Sequence, residues 1–428
     1  MAPVATKPDL ILLEFGLSTK VGRGYNYCAS IQRAVRRRGF SLRLFCHQSV
    51  PPGLAETLGA EPLFHTDGET PVAGDASAVQ SFCHSGMLFR DLTRLDSLMS
   101  PRTTVFVHQL SPLALPGLSQ WYLSLPVEYR PRLVVFLDCR PDNPCPGLFG
   151  FAVAALATAG PPGATAVRFC TDTAQAAVAF ERERGRKADV VPIPAAMLPA
   201  TAPVHPALVA QLKRLRIQRG VTVISLSLGT VARDKGFLMV KDIIAAIRIQ
   251  HLPIRFIVQT RIDPHQREDH APLEAAVKAL KADRGTDLLL LDEELDETAY
   301  ATVLTACDLV VLPYRSDRYR DRSSGIFADA LAAAKTVIVP ADTWMAGELV
   351  RFDAPGAVLH QVTPAAIGQA VAAIVPDRGL FHHQARAVAT TWTAFHNAEM
   401  MVDYLFAGLD SAARADRPHS PSDNTTPR

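Results

Sequence analysis

Short, continuously apolar runs alternate with longer amphipathic segments along the first half of the chain. The apolar runs predict strands at 9–16, 41–47, 103–109, 132–138 and 165–172. The amphipathic segments predict helices at 26–39, 86–98, 113–124, 148–158 and 173–184. Strands that are apolar on both faces are typical of a parallel sheet covered by helices on both sides, so this half predicts a doubly wound α/β domain.

The pattern stops in a proline-rich passage, 190–206, and then restarts. Proline removes a backbone donor and fixes φ, so this passage is predicted to be an extended connector. Beyond it, strands are predicted at 221–229, 254–260, 287–292, 309–314 and 336–340. Helices are predicted at 235–250, 272–283, 297–306, 325–334 and 364–375. The whole chain therefore predicts two doubly wound, Rossmann-like domains joined near residue 200.

The C-terminal part of the chain has a different pattern. Residues 380–409 predict one long amphipathic helix that no strand follows. Such a helix has to bury its apolar stripe against another element of the fold. Residues 411–428 lack large apolar side chains and predict a disordered tail.

Length and composition are ordinary for a globular protein with two domains. The chain has 428 residues, more than a single hydrophobic core usually serves, and 48% of them are hydrophobic and 20% charged. The net charge of +2 and the absence of a long basic run exclude nucleic acid as a predicted partner.

Three arginines, 36–38, end a predicted helix and complement its C-terminal dipole. The alternative is a contact between these arginines and an anionic lipid or acceptor.

The seven cysteines point to a reducing compartment. Their number is odd, no CxxC occurs, and most lie inside predicted strands or helices. The Cys-His pairs at 46–47 and 83–84 lack zinc-ligand spacing, so no metal site is predicted. No basic region with a cleavage site precedes the first strand, and the apolar stretch 147–163 is interrupted by Gly and Pro. A cytoplasmic protein is expected, with peripheral contact to the inner face of a membrane as a further possibility.

A polar loop separates the predicted strand 309–314 from the helix that starts near Gly325. In open α/β sheets, ligands lie beyond the carboxyl ends of the strands and beside helix N-termini. Ser323, Ser324 and Gly325 would present backbone N–H groups there, and such a cradle suits a phosphate or diphosphate. Arg322 adds positive charge to the loop, although an arginine in a loop can also be simply solvated.

Asp329 lies one helical turn beyond this loop. The spacing suits a carboxylate that receives the two hydroxyl groups of a ribose. The alternative interpretation is an exposed acid in the first turn of a helix, stabilised by the helix dipole.

A second loop, 225–237, supports the first. Gly229 permits a tight backbone there, and Arg233 and Lys235 bring positive charge to the mouth of the sheet. A lysine at a helix start opposes the helix dipole, and this local conflict indicates an anionic ligand that offsets it. A lone surface lysine is the alternative.

The second half of the chain resembles the donor domain of GT-B glycosyltransferases, specifically the retaining glycosyltransferase family 4 (glycosyl transferases group 1) type. Members of that family commonly read G-R-L-x-x-x-K-G after the first strand of the domain, where this chain reads GTVARDKG, 229–236. They carry E-x7-E between a later strand and helix, where this chain has Asp321 and Asp329 eight residues apart. The segment ACDLVVLPY, 306–314, is similar to the strand before that motif. The resemblance covers about 220–375.

The resemblance implies a role for each matched position. Lys235 would neutralise the diphosphate of a sugar nucleotide, and the backbone of 323–325 would hold it. Asp329 would take the place of the ribose-binding carboxylate, and Asp321 that of the carboxylate near the transferred hexose.

The chain departs from the family pattern in the length of two carboxylate side chains and in the loss of one positive charge. Both glutamates are aspartates here, each shorter by one methylene, and the usual phosphate-binding arginine is Thr230. Arg233 or Arg322 would be the compensating cation. These departures keep open a catalytically inactive relative that binds the nucleotide.

The first half is similar to the family's opening strand, Gly-rich loop, helix and second strand. Gly22 and Gly24 would let the loop approach the donor phosphates or the acceptor, or they belong to an ordinary βα turn. The resemblance makes His108, at the end of a strand facing the predicted cleft, a candidate for contact with the transferred sugar; the alternative is a structural histidine. Asp138, at the end of another strand, is an acceptor-side acid or a cap.

The resemblance implies a GT-B fold with an acceptor-side domain at 1–200, a donor domain at 201–376 and a return helix at 377–410 that packs on the first domain. It implies transfer of a hexose from a UDP- or GDP-sugar to a glycan, lipid or small molecule, with retention of configuration. The resemblance implies no required metal and no tightly bound cofactor. The alternatives are an inactive nucleotide-binding or scaffold protein and, less well matched, an isomerase of the sugar-nucleotide 2-epimerase kind.

Overall fold

The chain forms two parallel β-sheets, each covered by helices. The structure, a computed structural model, describes residues 7–18, 22–66, 77–137, 146–159, 167–194, 206–215, 220–262, 270–283 and 285–407. The two sheets follow one another along the sequence, which confirms the prediction of two doubly wound α/β domains. The predicted domain boundary at 200, the candidate Asp138 and the tail 411–428 lie outside the described residues.

The N-terminal sheet has seven strands in the order β3-β2-β1-β4-β5-β6-β7. They are β1 (Leu10–Glu14), β2 (Leu42–His47), β3 (Ala60–Phe64), β4 (Thr104–His108), β5 (Arg132–Phe136), β6 (Val167–Thr171) and β7 (Asp189–Val190). The direction in which strands are added reverses between β1 and β4, so this pair forms a topological switch point, where ligands of open sheets bind. Glu14 and His108 are register partners at its carboxyl end.

Among the described residues, six α-helices follow the strands of this sheet along the chain. They are α1 (Arg23–Arg37), α2 (Pro52–Leu58), α3 (Ser77–Thr93), α4 (Leu115–Ser124), α5 (Pro146–Ala157) and α6 (Ala174–Arg184). One hydrophobic cluster covers the α1–α2 side of the sheet and continues into the second domain, and a second lies between the sheet and α3–α5. The sheet is therefore buried on both faces, as its continuously apolar strands predict.

The C-terminal sheet has six strands in the order β10-β9-β8-β11-β12-β13, with its switch point between β8 and β11. They are β8 (Thr222–Ser227), β9 (Ile254–Gln259), β10 (Leu288–Leu291), β11 (Leu309–Val311), β12 (Thr336–Pro340) and β13 (Gly356–Leu359). The helices are α7 (Pro206–Leu215), α8 (Val240–Arg248), α9 (His270–Lys281), α10 (Glu297–Ala306), α11 (Ser316–Tyr319), α12 (Gly325–Ala332), α13 (Trp344–Arg351) and α14 (Pro364–Ile374).

The predicted helix 235–250 is wrong in its first turn. Residues 233–236 form a turn, a short 3₁₀ segment follows, and α8 begins only at Val240. Gly236 has φ of 73°, a left-handed conformation that ends a helix rather than continuing one. Lys235 therefore lies on a loop, so the predicted conflict between its charge and a helix dipole does not exist.

The predicted single helix at 380–409 is also wrong, because it is two helices: α15 (Arg378–Phe395) and α16 (Ala398–Phe406). Asn397 begins the second one, since its side-chain oxygen accepts a 2.9 Å hydrogen bond from the backbone N–H of Met400. Helix α15 stays on the second domain, against α12 and β12, and α16 packs on α1 of the first domain. The expected return to the first domain is therefore made by the nine residues of α16 alone.

Ion pairs fasten this last helix to the end of α1. Arg37 and Arg38 both bind the carboxylate of Glu399, and Arg38 also reaches Asp403. Arg37 and Arg38 thus lie at the C-terminal end of α1 and also form ion pairs with α16. In the part of the chain that the structure describes, no helix combines the length and apolar character needed to cross a bilayer.

Candidate functional site

The loop after β8 lies against the start of α12. A β-carbon placed on Gly229 would come within 3.5 Å of a methyl group of Ile326 and 3.8 Å of the Lys235 ammonium. The Lys235 ammonium donates a 3.1 Å hydrogen bond to the carbonyl oxygen of Thr230. Burial lowers the pKa of Lys235 below its ordinary value. Gly229, Thr230 and Lys235 thus lie together beside the first turn of α12.

The position of Lys235 depends on the glycine that follows it. A β-carbon on Gly236 would lie 2.1 Å from the carbonyl oxygen of Pro313, which no side chain can do. The backbone N–H of Arg315 also donates a 2.8 Å hydrogen bond to the carbonyl oxygen of Asp234. The loop is therefore packed directly on the chain that leaves β11, and Gly236 is needed for that close approach.

Helix α12 begins with a side-chain cap. The Ser324 hydroxyl accepts a 3.3 Å hydrogen bond from the backbone N–H of Phe327, and Gly325 is exposed as the first helical residue. Arg322 lies 3.9 Å from the carboxylate of Asp234 and over the ring of Tyr319. The loop before α12 is therefore tied to the loop after β8.

Asp329 is not the exposed helix acid of the alternative interpretation. The hydroxyl of Tyr300, on α10, donates a 2.9 Å hydrogen bond to its carboxylate. Burial raises the pKa of Asp329 to about 7, and the hydrogen bond from Tyr300 opposes part of that rise. Sequence reasoning missed Tyr300, since nothing in its own neighbourhood distinguishes it from a core tyrosine.

His108 does not reach the surface of the cleft. It is fully buried at the end of β4, and its Nδ1 is hydrogen-bonded to the carboxylate of Glu14, which is also fully buried. The ring of Tyr27 stacks on the imidazole with 4.5 Å between centroids. Its Nε2 has no hydrogen-bond partner among the described residues. The expectation that His108 faces an open cleft is therefore corrected: Tyr27 covers it.

The two glycines of the first loop have different roles. Gly22 precedes α1 with φ of 109°, a conformation that favours glycine. A β-carbon on Gly24 would lie 3.1 Å from the side-chain oxygen of Gln109 and 3.3 Å from that of Glu14. Gly24 thus lets the first turn of α1 pack on the ends of β1 and β4.

The two domains meet at the loop before α12. Arg23, the first residue of α1, forms an ion pair with Asp172 and donates a 3.0 Å hydrogen bond to the hydroxyl of Ser323. The Ser323 hydroxyl in turn donates a 2.6 Å hydrogen bond to Asp172. The Thr173 hydroxyl donates a 2.8 Å hydrogen bond to the carbonyl oxygen of Asp321. This set of contacts is called the interdomain contact below.

Sequence reasoning missed Arg23, Asp172 and Thr173. Signals for two of them were present: Arg23 lies between the two glycines singled out, and Asp172 directly follows a buried strand at the edge where ligands bind. Of the other predicted residues, Asp321 is half-buried and Arg233 is exposed. Among the described residues, no group of three or more His, Cys, Asp or Glu side chains is arranged to hold a metal ion.

The fold is shared with solved structures of low sequence identity. Anabaena HepE, solved in complex with UDP and glucose, is 12% identical over 94% of this chain and 100% of its own, with a TM-score of 0.63. A glycosyltransferase from Rickettsia africae is 9% identical over 93% of this chain and 99% of its own, with a TM-score of 0.62. Sucrose-phosphate synthase from Thermosynechococcus elongatus is 13% identical over 93% of this chain and 98% of its own, with a TM-score of 0.61.

These similarities confirm the predicted GT-B fold. The sequence itself matches no protein-family model, and no curated protein is significantly similar to it. At such identities the likeness establishes the arrangement of the backbone, and the chemistry of the site rests on the side chains described above.

Proposed function

We propose that the chain is a glycosyltransferase of the retaining family 4 type, which moves a hexose from a UDP- or GDP-sugar to a glycan, lipid or small molecule. It needs no metal and no tightly bound cofactor in this proposal. The observation that carries the proposal is the position of Lys235: a partly buried ammonium, on a loop fixed by Gly236, beside the first turn of α12. HepE, which shares the fold, binds UDP and glucose.

The diphosphate of the donor would lie between Lys235 and the start of α12. The backbone N–H groups of 323–325 and the positive end of the helix favour an anion there. As the bond between sugar and diphosphate breaks, negative charge develops on the departing diphosphate. A fixed ammonium and fixed amides at that point stabilise the charge without reorganising, and this lowers the barrier.

The lowered pKa of Lys235 is consistent with an anionic ligand. Its cause is burial of the ammonium, which disfavours the charged form, and the neighbouring Asp234 opposes that effect. A diphosphate bound next to the ammonium would favour the charged form and so raise the pKa of Lys235 again. Binding and protonation of Lys235 therefore support each other.

The ribose of the nucleotide would lie at Asp329. An ionised carboxylate accepts hydrogen bonds from two neighbouring hydroxyl groups, and Tyr300 fixes the orientation of this carboxylate through the 2.9 Å hydrogen bond. Asp329 occupies the position of the family's ribose-binding glutamate. Asp321, on the loop that the interdomain contact holds, occupies the position of the carboxylate near the transferred hexose.

The acceptor would enter from the N-terminal domain. The carboxyl ends of both sheets carry the loops that meet at the interdomain contact, so the sugar would be enclosed between the domains. Exclusion of water from that space limits hydrolysis of the donor.

A second candidate function is nucleotide binding without transfer. The observation that favours it is Thr230, which contributes only its carbonyl oxygen to Lys235 where the resembled family has an arginine. The two aspartates in place of glutamates reduce the reach of the carboxylates as well.

Donor turnover separates the two candidates. UDP- and GDP-hexoses are incubated with the protein, with and without a panel of glycan, lipid and small-molecule acceptors, and released nucleoside diphosphate is measured. A transferase releases UDP or GDP, and Lys235→Ala lowers that rate at least about tenfold, which is 1.4 kcal/mol of transition-state stabilisation. Lys241→Ala, an exposed lysine on α8, is the control and leaves the rate unchanged. Binding of nucleotide with no release in any reaction favours the second candidate.

A further inference from the structure

Arg23 reaches across from the N-terminal domain to the loop that precedes α12. Its Nη2 atom is bound to the carboxylate of Asp172 and lies 3.0 Å from the hydroxyl oxygen of Ser323. The guanidinium also lies over two aromatic rings, 5.4 Å from the centroid of Tyr27 and 5.2 Å from that of Phe136. One charged contact, one hydrogen bond and two ring contacts therefore fix the direction of this side chain.

The carboxylate that holds Arg23 is itself firmly placed. Asp172 is 5% exposed and follows β6 directly. It accepts hydrogen bonds from the hydroxyls of Ser323, at 2.6 Å, and Tyr27, at 3.3 Å, as well as the ion pair with Arg23. A buried carboxylate with several donors keeps its place, so Asp172 can orient a guanidinium on its surface.

The guanidinium has donors to spare for a ligand. Arginine carries five N–H donors in a planar fork. Both protein contacts of Arg23 use Nη2, and its Nη1 and Nε make no hydrogen bond to the residues that the structure describes. The side chain is 22% exposed, so solvent or a ligand reaches it.

The cations expected to replace the missing arginine at Thr230 are placed less well. Arg233 is exposed, and Arg322 is 54% exposed and lies next to Asp234. Water screens the charge of an exposed arginine. Arg23 is less exposed, and it touches Ser323, one of the residues whose backbone amides are proposed to bind the diphosphate.

We propose that Arg23 is a ligand of the donor diphosphate, supplied by the N-terminal domain, and that Asp172 is the residue that positions it. This proposal rests on the proposed function. Lys235 and the start of α12 belong to the second domain, and the sugar must lie between the domains to meet an acceptor. The phosphate nearest the first domain is therefore the one that carries the sugar, and Arg23 binds that phosphate.

Comparison of a nucleoside diphosphate with its monophosphate tests this assignment. Affinities of UDP, UMP, GDP and GMP are measured for wild type, Arg23→Gln and Arg23→Lys. Arg23→Gln lowers the affinity of the diphosphate at least about tenfold and that of the monophosphate less than about twofold. Arg23→Lys, which keeps the charge but not the planar fork, lies between. Arg36→Gln, an exposed arginine on the same helix, is the matched control and changes neither affinity.

Loss of stability is separated from loss of contact by a double variant. Arg23→Gln leaves the buried Asp172 carboxylate without its ion pair, whereas Arg23→Gln combined with Asp172→Asn removes both charges. The melting temperature of the double variant is closer to that of wild type than the melting temperature of Arg23→Gln is. The double variant still loses the extra affinity that the diphosphate has over the monophosphate.

Two results overturn the assignment while leaving the proposed function in place. One is an equal loss of diphosphate and monophosphate affinity in Arg23→Gln, which marks a structural role. The other is wild-type diphosphate affinity in Arg23→Gln when Lys235→Ala has lost it. If wild type binds none of the four nucleotides at millimolar concentration, the proposed function and the role of Arg23 are both wrong.

Discussion

The hydroxyl of Tyr300 donates a 2.9 Å hydrogen bond to the carboxylate of Asp329, in the second turn of α12. Burial of that carboxylate raises its pKa to about 7. The acid therefore changes charge close to neutral pH, at the position proposed to bind the ribose. Both the affinity for a nucleotide sugar and the stability of the protein are expected to depend on pH through this group. Deprotonation of Lys235, whose pKa burial lowers, acts on the affinity in the opposite sense.

Affinity for the donor is predicted to rise with pH. The ionised form of Asp329 accepts ribose hydroxyls, and with a pKa of about 7 its population rises from about one tenth at pH 6 to about nine tenths at pH 8. Through Asp329, affinity for a UDP- or GDP-sugar then increases up to about tenfold over this range, because the diphosphate diester itself does not titrate there. In Asp329→Asn this increase disappears, so the ratio of wild-type to variant affinity rises with pH. The same ratio at the two pH values would contradict the role of Asp329.

Stability is predicted to respond in the opposite direction. The pKa of Asp329 is higher in the folded protein than in the unfolded chain, where it is about 3.9, so the folded state binds the proton more tightly. The stability from this proton is complete below about pH 4 and is lost as pH rises to about 7. Asp329→Asn escapes that loss, so its melting temperature relative to wild type is higher at pH 8 than at pH 5. A constant difference would mean that Asp329 is ordinarily solvated.

Gly236→Ala is predicted to disrupt the Lys235 loop. The added β-carbon would meet the carbonyl oxygen of Pro313 at 2.1 Å, in addition to the cost of a positive φ. Gly185 has φ of 61° and no atom near a β-carbon, so Gly185→Ala is the matched control for φ alone. The control is expected to cost about 1 kcal/mol, and Gly236→Ala at least about 2 kcal/mol more, with loss of nucleotide binding. Similar melting temperatures for the two variants would show that the loop adjusts easily.

His108→Ala is predicted to act mainly on stability. Removal of the imidazole leaves the fully buried carboxylate of Glu14 with only the backbone N–H of Gly16 and the Cys28 thiol among its described partners, which costs about 3–5 kcal/mol. In a double-mutant cycle, Glu14→Gln added to His108→Ala costs less than it does in wild type, since the carboxylate has already lost the imidazole. Denaturation measurements on the four proteins give the coupling energy. If the two stability effects are additive, and His108→Ala folds but no longer turns over the donor, the result would instead support a contact between His108 and the transferred sugar.

The centre of each sheet was predictable because its strands are apolar on both faces. The strands β1, β4, β8, β11 and β12 are buried over almost their whole length, as expected of a parallel sheet between two helix layers. The edge strands β3 and β13 were missed. Strand β3 contains the exposed Pro62, and β13 has only four residues. Neither therefore shows the pattern of a buried strand.

Helix breaks and the long-range part of the site were not predictable from periodicity. The amphipathic pattern of 380–406 runs through the break at His396 and Asn397, and the capping residue was the only local signal. Lys235 and Asp329 were singled out from the sequence because each follows an apolar strand, Lys235 on the loop after β8 and Asp329 on the helix after β11. The pairing of Arg23 with Ser323 joins residues 300 positions apart, and it follows from how the two domains meet, which no local pattern records.

Titration of UDP and GDP into wild type, Lys235→Ala and Lys241→Ala by calorimetry tests the central claim most directly. The claim is that the loops 229–236 and 320–325 form a nucleotide-sugar site. One of the two nucleotides is predicted to bind wild type and Lys241→Ala alike, and Lys235→Ala is predicted to lose at least about tenfold in affinity, or about 1.4 kcal/mol. No binding of either nucleotide to wild type at millimolar concentration, or equal binding to all three proteins, would contradict it.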